Sequence, residues 1–472
     1  MNEPKPLQPG GQPDQVEELE RKIKRLQGEN EGLKKKIQDL EEELRSSKRQ
    51  AAPFSKGQRK ANPKRPGRKA GQGNFRYRPA PAEAIGGEIV GVPVPAGCRS
   101  CGGVLEVEAE EWATTTDLPV QPHPKVTRYR VPVCRCSQCG KRVRGTAPGL
   151  AADQFGATAH RVGAGVKAAA HALHYGAGVP VRKLPMVLKE LTGITLTQGA
   201  MTQDALQRGE AEVGARYQQL CGGMREAPVV NTDDSGWRVG GSSAHLMVFV
   251  SEQSTVYQIR ARHRNQEVRE VIPADYAGIM GTDRGKSYDA EEFHAGAQQK
   301  CLGHLQRNIT EVLETKKGRA REFGLGLKNM LRQSIELHHR RSHLPPADYQ
   351  LQVQVQVQVQ QIDDALTFHL RHRILKDDDN QRLLDGIGLH QDRGNLLRFL
   401  RVEGLEPTNN RAERAPRPAV IARKVSHCSK NQRGAEAFAA FLSVIQTATQ
   451  AGAQSTIAYL RNLFSTPASP SG

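Results

Sequence analysis

The chain has 472 residues, of which 37% are hydrophobic and 5% aromatic, and 68 Lys and Arg against 50 Asp and Glu give a formal net charge of +18. That length accommodates several separately cored units, and that charge calls for a polyanionic partner, with nucleic acid the leading class. No apolar run approaches the roughly 18–20 residues of a spanning helix, Met1–Pro6 lacks the apolar core of a secretory signal, and eight cysteines in a chain this long do not make a secreted disulfide scaffold, so no membrane partner is expected and the compartment reads as a reducing cytoplasm.

After a disordered tail over 1–13, residues 14–49 carry apolar residues in alternating steps of three and four: Val16, Leu19, Ile23, Leu26, Leu33, Ile37, Leu40 and Leu44. Asn30 occupies the remaining seam position. Aliphatic residues at a, Leu at d and one buried Asn at a are what a parallel two-stranded coil prefers. The spacing therefore predicts a leucine-zipper homodimer; a single solvated helix with Glu-Lys surface pairs is the bland alternative. Residues 50–90 are basic and rich in Gly and Pro, centred on Lys64-Arg65-Pro66-Gly67-Arg68-Lys69. Without apolar periodicity they read as an extended linker, suited to phosphates or a minor groove or simply solubilising.

Cys98-Arg-Ser-Cys101 and Cys136-Ser-Gln-Cys139 are two C-x-x-C knuckles, each followed by Gly, within a zinc-binding β domain over 91–146. Two such turns complete a tetrahedral structural Zn²⁺ site, with Val104–Thr115 and Lys125–Val133 as the strands of its hairpin. Cys134 competes with Cys136, whose spacing to Cys139 favours it. Cys221, Cys301 and Cys428 are isolated, and packing is their default role. Residues 147–224 read as helical, from Val162–His174 through Pro180–Gly193 to a third helix opening at Leu196–Met201. They form either a plain bundle or a helix-turn-helix, and so a linker or a DNA-binding domain.

The core over 225–450 begins with strands at Ala227–Asp233, Ala244–Val250 and Thr255–Ala261, then a helix at Arg264–Ile272 and a strand at Tyr276–Asp283. In this β-β-β-α-β order, carboxylates end the first and fourth strands. If those strands lie side by side, Asp233 and Asp283 can share hard divalent cations. Asp234 competes with Asp233, but alternation along a strand turns neighbours to opposite faces. Helices are predicted at Ala297–Leu313, Ala320–His338, Ile362–Leu375 and Asp378–Leu400, forming a helical insertion at about 296–403. The run Leu351–Gln361, alternating Gln and Val, has a strand's period of two yet lies between helices. A third carboxylate is supplied by Glu413 in Pro407–Arg414, after an Asn cap, and Arg417, Arg423 and Lys424 follow it as candidate phosphate ligands. Residues 451–472 read as a C-terminal tail.

Three segments carry a family resemblance: Asp233-Asp-Ser-Gly-Trp-Arg238, Cys301-Leu-Gly-His304-Leu-Gln-Arg307, and Thr408-Asn-Asn-Arg-Ala-Glu413-Arg with the later Arg423-Lys424. Together they resemble the insertion sequence sixty-six family of bacterial DDE transposases over nearly the whole chain. The resemblance implies a multidomain α/β protein: coiled coil, basic linker, four-Cys zinc domain, helical domain and a ribonuclease H-like mixed-sheet core interrupted by helices. It implies Asp233, Asp283 and Glu413 as a catalytic triad holding two Mg²⁺ or Mn²⁺ per active site. The implied reaction is metal-dependent cleavage and strand transfer at the ends of the element itself. Double-stranded DNA, both element ends and target, would be the partner, with accessory proteins of the same element, at the bacterial nucleoid.

Two departures stand out. Asp-Asp-Ser-Gly-Trp replaces the usual Asp-Glu-Thr-Gly-Trp, and Arg284-Gly285 follows the second Asp where Gly-Tyr is usual. Cys301 and His304 form a C-x-x-H expected to pack beneath the site, with His304 near the scissile phosphate and Arg307 of the same motif as a further accessory candidate. Trp237 reads as core or cleft wall, with base stacking as the alternative. A DNA-binding regulator with a dead catalytic core is the competing function, and a nuclease without strand transfer a third; the three intact acids favour an enzyme.

Overall fold

The computed structural model describes residues 162–341, 349–371 and 373–465 continuously, with 22–33, 37, 91–93, 95–96, 101–104, 107, 124–145 and 147 beyond them. The linker with Lys64, Arg65, Arg68 and Lys69, the ligand Cys98 and most of Val104–Thr115 lie outside the described residues, as do the two ends of the zipper. Within it, residues 22–33 are helical, and Ile23, Leu26 and Leu33 are all more than half exposed.

The second knuckle is a hairpin. Strand β1 (Val133–Arg135) pairs antiparallel with β2 (Arg142–Arg144), and the turn between them carries Cys136 and Cys139. Cys136 N donates to Lys141 O at 2.8 Å and Gly140 N to Cys136 O at 3.0 Å, with Gly140 in the left-handed region that glycine tolerates best (φ 70°). The strand starts at Val133 where the sequence suggested its end, because Pro132 has no N–H to give a ladder, and 124–132 are irregular. Cys134 sits on β1, opposite Val143, whereas Cys136 and Cys139 share the turn. Backbone amides of Cys139 and Gln138 pointing at Cys136 lower its thiol pKa, as a metal-binding thiolate requires.

Helices come next, close to their expected places: α1 (Ala164–His171) running on into a π-turn to Gly176, α2 (Leu184–Thr192), α3 (Gln198–Glu210) and α4 (Glu212–Glu226). Gly193 ends α2 in the left-handed conformation, and Thr197 caps α3 by accepting from Ala200 N. A buried ion cluster ties α1 to α3: Asp204 lies 2.8 Å from both Lys167 and His171 and 3.0 Å from Arg208. Burial alone would raise the Asp204 pKa, but these three partners hold it well below the usual carboxylate range. Ala168, Tyr175, Val213, Leu220 and Met224 belong to the same hydrophobic cluster as the sheet that follows, so these helices form a layer of the core.

That sheet contains β3 (Val229–Val239), β4 (Ser242–Val250), β5 (Thr255–Arg260), then, after α5 (Asn265–Arg269), β6 (Ile279–Thr282) and β7 (Ala297–Lys300). Their order is β5-β4-β3-β6-β7. The first three are antiparallel, while β6 runs parallel to both β3 and β7. This is the mixed sheet expected of a ribonuclease H-like core.

β7 corrects the expected helix at Ala297–Leu313, since only from Leu302 onward is the segment helical. Its residues, Ala-Gln-Gln-Lys, show no apolar alternation, and the amide nitrogens of its buried glutamines are paired with backbone: Gln298 Nε2 donates to Tyr288 O and Gln299 Nε2 to Leu396 O. Polar groups so paired can be buried without a hydrophobic signal.

The insertion comprises α6 (Leu302–Thr315), α7 (Gly318–Arg341), α8 (Tyr349–Leu370) and α9 (Asp378–Asp392). It has its own core, including Leu305, Ile309, Leu327, Leu331, Leu366 and Ile387. The Gln-Val run is part of α8, neither strand nor connector. Val355, Val359, Ile362, Leu366 and Leu370 fall on one helical face packed into this core, while Val353 and Val357 are exposed. The helix expected over Asp378–Leu400 stops at Asp392, just before Gly394 with φ 64°.

The chain then returns to the sheet through α10 (Asn410–Arg414), α11 (Arg417–Ser426) and α12 (Gln432–Gln450). Helix α12 lies against β5, where Ser443 Oγ and Thr447 Oγ1 accept from Tyr257 N and Thr255 N. The expected tail over 451–472 instead contains α13 (Thr456–Ser465), whose Leu460 and Phe464 are buried; the apolar spacing of these two was too short a signal to separate from a tail. Among the described residues no helix is long and apolar enough to cross a membrane.

A Cβ on Gly281 of β6 would collide with Asn231 Nδ2 on the neighbouring strand, and that amide is already bound to Asn409. Gly281→Ala should therefore destabilise the protein by about 1–3 kcal/mol, measured as a lower denaturant midpoint at unchanged slope.

Candidate active site

Parallel pairing of β3 with β6 sets Val229 opposite Ile279 and Asn231 opposite Gly281. Two residues further along each chain, Asp233 and Asp283 therefore stand level, Asp283 just past the end of β6 but Asp233 within β3, which does not end there as the sequence suggested and runs on to Val239 as the partner of β4. Alternation decides the faces. Asn231 reaches Asn409 on one side of β3, and Thr232 reaches the Tyr288 hydroxyl at 3.1 Å on the other. Asp233 thus shares its face with Asn231, and Asp234 shares the opposite face with Thr232.

Asn409 brings the third acid in. Its Nδ2 donates to Thr232 O at 2.7 Å, its Oδ1 accepts from Asn231 Nδ2 at 3.0 Å, and its backbone N donates to Cys301 Sγ at 3.2 Å. This clamp fixes the start of α10 against β3, and Glu413 N bonds Asn409 O one turn later. Glu413 Oε1 then lies 3.4 Å from His304 Nδ1 and 3.8 Å from Cys301 Sγ. The fold thus adds Glu413 to the C-x-x-H that opens α6. Buried Cys301 packs beneath that carboxylate, while Arg307 is exposed.

Asp283 is held from below. Lys300, fully buried on β7, donates to Thr282 Oγ1, to Asp283 O and to Asp289 Oδ1 at 3.0, 3.2 and 2.7 Å. Burial lowers the Lys300 pKa against the opposing pull of Asp289 and Asp283. Asp283 Oδ1 accepts from Gly285 N at 2.8 Å, so the loop after β6 wraps the carboxylate. Arg284, in the unusual position after this Asp, has its pKa lowered by burial and leans toward Gly386 of the insertion.

Burial pushes the Asp233 carboxyl up to about 6, and the charges of Asp234, Asp283 and Glu413 add to the effect against one opposing backbone amide. Three carboxylates gathered around one whose ionisation is disfavoured are a donor set suited to hard divalent cations. Their oxygens are not drawn into one tight knot: among the described residues, the groups whose ligand atoms all lie within 4.8 Å are Cys301-His304-Glu413 and Asp234-His245-His263.

The basic residues divide. Arg423 Nη1 donates to Ser235 Oγ at 3.3 Å and to Gly236 O, which pins α11 onto β3, whereas Arg417 and Lys424 are exposed. Trp237 is core: it is 4% exposed, donates from Nε1 to Ser429 Oγ at 3.2 Å and packs 5.0 Å from the Phe438 ring. It offers no free face for a base. Sequence reasoning gave no role to Asn409, Lys300 or Asp289. Asn409 stood inside a motif already singled out, but the two others carried no local signal.

Residues 160–437, more than half of the chain, match the family described as Transposase IS66 family. The chain belongs to that family. No curated protein matches it. Two solved structures of the HTLV-2 integrase catalytic core domain in complex with magnesium are similar to parts of this IS66-family chain. The dimeric form is 14% identical over 22% of this chain and 88% of that one, with a TM-score of 0.14. The trimeric form is 12% identical over 33% and 94%, also with a TM-score of 0.14.

The raised Asp233 pKa has a signed consequence. The native carboxyl holds its proton up to about pH 6, against 3.8 for the free group, so native stability falls as pH rises through that window. In metal-free protein, Asp233→Asn should raise stability at pH 7.5 by about 1–2 kcal/mol, a figure discounted for partial exposure, and leave it unchanged near pH 4. Chemical denaturation in EDTA at both pH values measures this, and added Mg²⁺ should stabilise only the wild type.

Proposed function

We propose that this IS66-family protein is a DNA transposase that cuts and joins the ends of its own insertion sequence, with Asp233, Asp283 and Glu413 as its catalytic carboxylates. The observation that carries the reading is the convergence at Asp233. Acids 50 and 180 positions downstream in the sequence come near enough to add to the burial that raises its pKa, and perturbed carboxyls of this kind cluster at functional sites.

Asp233, Asp283 and Glu413 would hold two Mg²⁺ or Mn²⁺ ions. When bound, such ions generate the attacking hydroxide or 3′-alkoxide and stabilise the leaving oxygen of a phosphodiester. The chain's own groups fix where this happens. Lys300 and Gly285 hold the Asp283 loop, Asn409 sets α10 on β3, and His304 stands 3.4 Å from Glu413. Exposed Arg417 and Lys424 supply phosphate contacts, as does the basic linker with Lys64, Arg65, Arg68 and Lys69.

The zipper would pair two protomers, each carrying one DNA end, and a structural Zn²⁺ on Cys98, Cys101, Cys136 and Cys139 would brace the knuckle domain. The reaction belongs at the bacterial nucleoid. The geometry of the Cys136–Gly140 turn supports the ligand choice over Cys134.

Asp283→Asn and Glu413→Gln should each lower Mg²⁺-dependent cleavage of element-end DNA on the order of 10³-fold or more, with DNA affinity in a gel-shift assay nearly unchanged. Cleavage at the wild-type rate by either variant removes that residue from the assignment. For the knuckle, metal analysis should find about one thiolate-bound zinc per chain, lost in Cys136→Ser and Cys139→Ser but kept in Cys134→Ser.

A further inference from the structure

On the face of β3 turned away from Glu413, three side chains from consecutive segments meet: Asp234 of β3, His245 of β4, and His263 in the loop between β5 and α5. The register explains the meeting. Asp234 pairs with Met247, and Gly236 with His245, so His245 lies on the diagonal from Asp234 on the same face. His245 Nδ1 is 3.5 Å from Asp234 Oδ2, and His263 Nδ1 is 3.5 Å from Asp234 Oδ1.

Those spacings are informative. A hydrogen-bonded histidine-carboxylate pair closes to about 2.7–2.9 Å, and this protein contains one, His171 to Asp204 at 2.8 Å. By contrast, ligands bonded at about 2.0–2.1 Å to a tetrahedral ion stand roughly 3.3–3.4 Å apart. Each histidine faces a different oxygen of Asp234 at 3.5 Å, the long limit of a hydrogen bond and nearer the second spacing, and one ligand atom from each of the three residues lies within 4.8 Å of the others. His263 is 11% exposed and turns its Nδ1 toward Asp234. Asp234 and His245, at 33% and 40% side-chain exposure, leave the cluster open to solvent on one side, so an ion can enter and water can reach it.

We propose that Asp234, His245 and His263 form a second metal site, separate from the carboxylate centre, that takes Zn²⁺ through two imidazoles and one carboxylate with water in the fourth position. The donor set selects the ion. Imidazole suits zinc and its late-transition neighbours, whereas Mg²⁺ demands oxygen ligands. Two adjacent residues of one strand, Asp233 and Asp234, thereby serve different metals on opposite faces of the sheet. The zinc cross-links β3, β4 and the β5–α5 loop next to the first catalytic acid, as a positioning site.

The test must separate this zinc from the thiolate zinc of the knuckle. In the full-length chain carrying Cys136→Ser and Cys139→Ser, stripped with chelator and titrated with Co²⁺, about one equivalent should still bind. Its visible spectrum should lack thiolate charge transfer, and excess Mg²⁺ should not displace it. Adding His263→Gln or His245→Gln should abolish that binding, and in the otherwise wild-type chain each should remove one zinc while leaving the thiolate band intact. Absence of Co²⁺ binding in the cysteine variant, or equal metal content with and without the histidines, overturns the proposal. The first of these readings leaves both histidines in place, so it does not depend on how their variants fold.

Discussion

The parallel pairing of β3 with β6 is the constraint on which this architecture depends. A shift of one residue in that register would turn a strand's side chains to the other face, separating Asp233 from Asp283 and presenting Asp234 instead. The register is guarded on both sides. Gly281 leaves room for Asn231, Asn231 binds Asn409, and Asn409 binds back to Thr232 O. One amide clamp therefore aligns two strands and seats the helix that carries the third acid. Mutual repulsion among the acids opposes this arrangement, and the surrounding core and hydrogen bonds offset it.

Much of the core was legible because its signals are local. The runs ending at Asp233 and Asp283 are apolar, and central strands must be, since both faces are covered. Glu413 could be found through an Asn and a helical start. β7 could not, because it buries glutamines whose amide nitrogens donate to backbone carbonyls such as those of Tyr288 and Leu396. The C-x-x-H looked incomplete for a related reason: its third neighbour, Glu413, lies 109 positions beyond His304 and only the fold connects them. Arg423 looked like a free phosphate ligand, yet its partners are Ser235 and Gly236. Charge can be read from sequence, but whether a charge is already engaged depends on tertiary structure.

Besides a small cluster around Leu184, Leu188 and Met201, two larger hydrophobic clusters divide the labour among the described residues. One joins the sheet to the helices on either side of it in sequence; the other belongs to the insertion, with Val229 and Ile279 packed against it from the sheet. These two residues begin the strand that carries Asp233 and the strand that leads into Asp283. Packing of the insertion therefore bears on the same two strands that position these acids, so that a region supplying neither of them still helps fix the site.

Helix α8 adds a constraint on how this chain can change. Each Gln-Val unit advances the helix by two residues, about 200° of rotation, so loss or gain of one unit through replication slippage would swing Val355 and Val359 out of line with Ile362 and Leu366. Two units rotate it by only about 40°, keeping the apolar stripe nearly continuous while lengthening the rod by about 6 Å. Length variants of this tract that still fold should accordingly differ by even numbers of dipeptides, so the repeat ticks in steps of four residues although its sequence repeats every two.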